Sequence, residues 1–299
     1  MSKLSKETRG ILWTLAFCVS FPLLTAVVRH LTDLGLPSPQ IVFVRNLSAV
    51  LLMVPFIFLR STKLDLKIRN RTLYFLRIVF GLTSMMLWFY GLGRLPLATA
   101  TALSFSTPIF TAIAAVLFLK EKMGVYRWSA VAVGFLGTLI ILRPDVVHFN
   151  LAAASVLGGC FFMSIAIIIV KKLTNTETPF NMMFHMHLWM AVFSIPLAFT
   201  NWHGVDLNMI YWCVALAAFS IIGQYALVRA YMLVDITLTL PFDFTRLIIA
   251  SIVAYYAFAE TPDVYAYIGA GIIIASSIFI AHREARLRRA LKQEAEIEQ

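Results

Sequence analysis

Apolar runs of about 20 residues, broken by short charged or Pro- and Gly-containing segments, fill most of this chain. A run of that length matches the roughly 20 residues that an α-helix needs to cross a hydrocarbon layer about 30 Å thick. Hydrocarbon offers no partner to a backbone N–H or C=O, so such a run must close its own hydrogen bonds, and a helix does so within one segment. Apolar length and punctuation predict spans near 10–31, 40–59, 72–92, 97–119, 126–142, 151–170, 180–199, 208–230, 236–258 and 264–282. The predicted fold class is all-α integral membrane, with ten transmembrane helices.

Composition excludes the soluble alternatives. The chain is 60% hydrophobic and 13% charged, against about a quarter charged residues in a soluble domain. A net charge of +10 would suit a nucleic-acid binder only if Lys and Arg shared one solvated face. Here they sit in short clusters between apolar runs, so no nucleic-acid partner is expected. Lys3, Lys6 and Arg9 precede an apolar stretch in the manner of a signal peptide, but the stretch runs from Ile11 to about Leu31 without a small-residue cleavage site, and it reads as the first span. Cys18, Cys160 and Cys213 lie inside spans, which gives neither a disulfide framework nor a zinc spacing.

Orientation follows from the excess of Lys and Arg in cytoplasmic loops. With the N-terminus inside, the inner segments hold Lys3, Lys6 and Arg9, the cluster from Arg60 to Arg71, Lys120, Lys122 and Arg127, Lys171 and Lys172, Arg229, and the tail from Arg283 to Lys292. The outer segments hold only Arg29, Arg94 and Arg143. Both termini are therefore expected in the cytoplasm. The two halves also align: residues 90–143 pair with 229–282 without a gap, matching Phe105 with Phe244, Ile109 with Ile248, Glu121 with Glu260 and Tyr126 with Tyr265. The paired loops read KEKMGVYR and AETPDVYA, so the glutamate and Val-Tyr stay while the basic residues go. Five spans per half would put these loops on opposite sides of the membrane, where the charge rule asks for that loss. The expected organisation is a cytoplasmic N-terminus at 1–9, two inverted five-helix repeats at 10–142 and 151–282, and a charged cytoplasmic tail at 283–299.

Several motifs then carry a family resemblance: Phe-Val-Arg-Asn at Phe43–Asn46, Ser-Thr-Pro-Ile-Phe at Ser106–Phe110 followed by Phe-Leu-Lys-Glu-Lys at Phe118–Lys122, and Leu-Pro-Phe-Asp-Phe at Leu240–Phe244. With ten spans in two inverted fives, the chain resembles the EamA family of the drug/metabolite transporter superfamily over nearly all of residues 10–283. The stretches around Leu95–Lys122 and Val234–Asp263 most resemble bacterial uptake carriers of the S-adenosylmethionine type. The resemblance implies a multi-pass protein of the bacterial inner membrane that carries a small organic metabolite, with the lipid bilayer as its other partner and a homodimer left open. Many relatives have a tyrosine where this chain has Phe244.

Ionisable side chains inside spans are costly and mark functional interiors. Asp243 and Arg246 lie three residues apart near the middle of the ninth span, on one helical face. They read either as an internal ion pair or as the border of a central cavity. Ser104 and Thr107 occupy the matching depth of the fourth span. Arg45 and Asn46 sit in the outer part of the second span, where Arg45 either reaches the cavity or snorkels outward. Arg77, near the inner end of the third, is read as snorkelling or contacting an anionic lipid. Gln224, Tyr225, Trp88 and Tyr90 could serve a planar ligand, although Trp88 and Tyr90 equally suit an aromatic belt, as do Trp13, Trp202 and Trp212. His185 and His187, two residues apart, point about 200° away from each other on a helix, so no metal site is assigned. Pro108 and Pro241 bracket the polar centre as hinges or as packing kinks.

Asp243 is the single carboxylate within the predicted spans, which argues against an embedded enzyme needing paired carboxylates or a metal. No catalytic residue or cofactor is assigned. No G-x-x-x-x-G-K-[ST] loop occurs, so the expected driving force is a gradient or exchange. The mixture of arginine, amide, hydroxyl and aromatic groups suits an amino-acid-derived or nucleoside-bearing metabolite such as S-adenosylmethionine. The same fold could move an amino acid or a vitamin such as riboflavin in export, and a membrane enzyme or scaffold is the remoter alternative. The topology is directly testable: externally added thiol reagent should label cysteines introduced near Pro37, Val147, Asp206 and Asp263 and miss those near Lys67, Met123 and Thr176. External labelling at Met123 would break the inverted arrangement.

Overall fold

Among the described residues most of the apolar runs close their backbone as helices, and short polar side chains fix where several of them start. The computed structural model describes residues 6–59, 68–107, 109–111, 113–114, 125–142, 150–173, 176–234, 245–261, 263–276 and 278–279. The helices are α1 (Lys6–Asp33), α2 (Ser38–Leu59), α3 (Arg71–Leu92), α4 (Leu97–Ser104), α5 (Val125–Leu142), α6 (Leu151–Leu173), α7 (Pro179–Ala198), α8 (Leu207–Leu233), α9 (Thr245–Phe258) and α10 (Val264–Ser276). Among the described residues there is no strand. Asn70, Thr178 and Asp206 cap α3, α7 and α8 by accepting from the backbone N–H of Leu73, Asn181 and Met209, which satisfies donors that the first helical turn leaves free. Helices α1, α2, α3, α6 and α8 are long and apolar enough to cross a membrane.

The fourth predicted span is not one continuous helix. Its helix ends at Ser104, residues 105–106 turn, and helical backbone resumes at Thr107. Proline lacks an N–H and its ring crowds the carbonyl four residues earlier, and the sequence has a proline at 108, four residues after Ser104. The chain compensates by tightening. Phe105 N–H bonds the Ala102 carbonyl and Ser106 N–H that of Leu103, at 3.2 and 3.0 Å, while the Cys160 thiol approaches the Leu103 carbonyl at 3.8 Å.

Helices pair across the two halves of the chain: α1 packs along α8, α3 along α6, α2 along α7 and α4 against α9. Moving each helix five places along turns the first pair into the second and returns α2 on α7 and α4 on α9 to themselves. The pairs are antiparallel. Gly10 at the start of α1 lies against Val234 at the end of α8, and His30 near the end of α1 meets Trp212 near the start of α8. Arg29, also late in α1, donates to the carbonyls of Leu92 and Leu95 after α3, where Gly91 touches Ala152 and Val156 at the start of α6. Thus α1 begins at one face of the bundle and α6 at the other. The face where α1 begins is called the first face below.

Burial departs from that of a water-soluble protein: polar side chains share the interior with an apolar core, and large apolar side chains also cover the outside. Asn46, His187, Gln40 and Ser194 are fully buried, whereas leucines such as Leu51, 61% exposed, and Leu207 cover the outside. Hydrocarbon as the surrounding solvent accounts for both halves of this pattern. Small residues let the central pair approach: a Cβ on Gly91 would lie 2.6 Å from the Ala152 carbonyl oxygen, and Ser84 Oγ donates to the Gly159 carbonyl at 2.8 Å. Because backbone cannot yield as a side-chain tip can, Gly91→Ala should destabilise the purified protein by about 1–3 kcal/mol. Gly271→Ala, with nothing within 4 Å of the added carbon, should leave the melting temperature no lower, since alanine favours the helix over glycine.

Candidate functional site

Three arginines, Arg45, Arg77 and Arg246, are buried within the bundle, and desolvating each costs several kcal/mol unless it is paired. They define two polar regions on different helices.

The first region joins α1, α4 and α9. Arg246 Nη2 donates to Ser104 Oγ at 3.3 Å, and Ser104 Oγ in turn donates to the Thr101 carbonyl at 2.6 Å. The guanidinium carbon lies 4.7 Å from the ring centre of Phe21 and 5.0 Å from that of Phe105, distances at which a ring face attracts a cation. The Phe21 ring also meets Trp88 at 6.1 Å. Trp88 packs against the main core rather than sitting in a rim belt, and its buried indole N–H has no hydrogen-bond partner among the described residues.

The second region lies between α2, α3 and α7. Arg45 Nη1 donates to the Met85 sulfur at 2.9 Å. Asn46 Nδ2 donates to the Val42 carbonyl at 2.8 Å, and its Oδ1 faces His187 Nδ1 at 2.9 Å. Arg77 Nη2 donates to the Met186 sulfur at 3.2 Å. Arg45 is therefore buried in the bundle. Arg77 corrects the sequence reading: it neither snorkels nor faces lipid, being 7% exposed and sitting on the wall of a narrow cleft toward the first face with Tyr74, Leu173, Met182 and Gln224. The cause is Gly81, one turn on, whose missing side chain leaves room for the guanidinium against α3.

The other predicted site residues are dispersed. Tyr90 stacks under Arg94 at 3.8 Å, at the end of α3 away from the first face. Tyr225 packs edge-on to Trp13 at 5.5 Å, and Thr107 offers its carbonyl to Thr111 at 2.8 Å. Asp243 and Pro241 lie outside the described residues, as does Pro108. Sequence reasoning missed His187, because it weighed this histidine only against His185 on its own helix. Its partner is Asn46, across the α2–α7 contact. It also missed a clasp opposite the first face, where Arg29 sits 3.3 Å from Asp33 and 3.9 Å from Glu260. Glu260 Oε2 accepts from the Leu97 N–H at 2.8 Å, capping α4, whose own N-cap residue, Pro96, supplies no side-chain bond.

The described helices form a bundle with exposed apolar side chains on the outside and three buried arginines within. The chain belongs to the EamA-like transporter family, whose model matches residues 8–143 and 150–281. It is 33% identical over 283 residues to the S-adenosylmethionine uptake transporter of Rickettsia felis, covering 93% of this chain and 94% of that protein. It is 28% identical over 285 residues to the riboflavin transporter of Vibrio cholerae, with 94% and 95% covered. A solved crystal structure at 13% identity superposes with a TM-score of 0.67 over 94% of this chain and 99% of that one, a likeness of fold alone. The protein is thus a transporter of the EamA-like family.

The Asn46–His187 bond tests the second region. In a double-mutant cycle of Asn46→Ala and His187→Ala, the melting curves should give a coupling of roughly 0.5–1.5 kcal/mol, the range of side-chain bonds between membrane helices. Additive effects would remove the bond.

Proposed function

We propose that this chain is a secondary carrier that takes up an amino-acid-derived, nucleoside-bearing metabolite, S-adenosylmethionine being the leading candidate, by alternating access. The observation that carries the reading is the pairing of inward-turned arginines with an aromatic wall. Arg45 and Arg246 are both buried, and Phe21, Phe105 and Trp88 gather beside the latter. A guanidinium offers a two-point fork to a carboxylate, and ring faces suit a planar base or a cationic sulfonium. The name carried by the Rickettsia felis relative points the same way. Riboflavin is the second reading, favoured by the Vibrio cholerae relative; it has the planar ring but no carboxylate for the arginines.

In this reading the ten predicted spans form two inverted five-helix repeats, 10–142 and 151–282, in the bacterial inner membrane, with the segments 1–9 and 283–299 in the cytoplasm. The helix pairing that survives a five-place shift and the family match in two stretches support it. The first face is then cytoplasmic. Arg45, Asn46, Trp88, Ser104, Thr107, Gln224, Asp243 and Arg246 contribute to substrate binding, with Asp243 as partner to Arg246, while Tyr90 and Tyr225 stand at the margins. Catalysis is not part of the proposal.

Proteoliposomes or cells expressing the chain should show saturable uptake of radiolabelled S-adenosylmethionine, competed by close analogues. Arg45→Ala, Trp88→Ala or Arg246→Ala in folded protein should weaken it about tenfold or more, the scale of a lost charged hydrogen bond. Transport of riboflavin without competition by carboxylate-bearing nucleosides or amino acids would move the substrate class.

A further inference from the structure

The region between α2, α3 and α7 carries more unmet hydrogen-bonding capacity than a packing role needs. Arg45 Nε, both Nε and Nη1 of Arg77, and His187 Nε2 are buried without a hydrogen-bond partner among the described residues. The acceptors that the two guanidiniums do reach are thioether sulfurs, which are weak and uncharged. Among the described residues the ion pairs are those of Arg29, and no carboxylate reaches Arg45 or Arg77. The two cations border one methionine layer, since Met85, Met186 and Met190 pack together with Ile78.

The histidine tautomer follows from its neighbour. Asn46 Nδ2 is committed to the Val42 carbonyl at 2.8 Å, so the atom facing His187 Nδ1 is the amide oxygen, an acceptor. His187 Nδ1 therefore carries the proton, and in the neutral ring Nε2 is left with a lone pair. The cluster thus holds two guanidinium donors and one acceptor, and its Arg77 also lines a narrow cleft with Gln224 toward the first face.

We propose that Arg45, Arg77 and His187 bind the head group of an α-substituted carboxylate, with the carboxylate on the two guanidiniums and an α-amino or α-hydroxyl group donating to His187 Nε2. The assignment rests on the carrier reading but not on S-adenosylmethionine as the cargo. Guanidinium forks match carboxylate geometry, and the bound anion supplies the negative charge that the cluster lacks.

Binding to the purified full-length chain in detergent tests the assignment, with S-adenosylmethionine, its decarboxylated analogue and its deaminated analogue as probes. Removing the carboxylate should weaken binding to the wild type at least tenfold, and removing the amino group should weaken it less. Arg77→Met should bring the first two ligands to similar affinity and, by removing a buried charge, raise the melting temperature of the ligand-free protein. His187→Phe should erase the difference between the amino and deaminated forms. If Arg77→Met does not fold, Arg77→Lys, which keeps the charge and loses the fork, should show the same narrowing. Undiminished discrimination in the Arg77 and Arg45 variants overturns the site. If S-adenosylmethionine fails to bind the wild type, that substrate falls, and the site is tested by L-methionine against 3-(methylthio)propylamine, the same molecule without its carboxylate. Absence of thermal stabilisation by L-methionine, or its persistence in Arg77→Met, then overturns the site as well.

Discussion

Polar groups surrounded by hydrocarbon must find their partners inside the protein, and the arrangement of this chain depends on that constraint. It drives Asn46, His187, Arg45, Arg77 and Arg246 into a largely apolar interior and lets leucines such as Leu51 and Leu207 stay exposed on the outside. It also decides where a helix can break. The interruption at residues 105–106 lies in the interior, with i−3 bonds and the Cys160 thiol gathered around the disturbed carbonyls. A broken helix facing lipid would have no such help. Irregular backbone beside a buried cation is a common way for a carrier to build a site from main-chain as well as side-chain groups, and Ser104, the last residue before the break, is the one that meets Arg246.

Two closures of different character follow. Away from the first face, Arg29 ties the end of α1 to the α3–α4 connection and to Glu260 after α9, and Glu260 caps α4. Three separate parts of the chain meet there through two side chains. Toward the first face the walls around Arg77 are apolar and methionine-rich, and methionine adapts its shape at little cost. Among the described residues a charged clasp thus marks one end of the bundle and methionine-rich packing the other.

Most of the fold was legible because apolar run length is a nearly sufficient signal in a lipid solvent. The predicted spans at 72–92, 126–142 and 180–199 fall within one residue of α3, α5 and α7 at each end, and the span at 40–59 starts two residues into α2 and ends with it. The site was legible in part. Depth along a span can be read from sequence position, and the three polar residues it singled out, Arg45, Ser104 and Arg246, are buried in the bundle. Azimuth cannot be read that way, because it depends on which helix lies alongside. Arg77 was therefore assigned to lipid although Gly81 makes room for it on the inner side, and Tyr90 was grouped with Trp88 although two positions on a helix point them apart. The Asn46–His187 bond spans 141 residues, and no local pattern announces it.

The buried guanidiniums also have an electrical meaning. Arginine stays protonated in proteins, so Arg45 and Arg77 are fixed charges at membrane depth, and an elementary charge moved across a membrane potential does work of about 2.3 kcal/mol per 100 mV. Any rocking that shifts these two residues along the membrane normal draws on that field in proportion to the distance travelled. An anionic group resting against them travels with the opposite sign and cancels part of the work. The empty and the loaded forms of the protein would then feel the membrane potential differently, so that voltage biases one half of the cycle more than the other without any dedicated sensor.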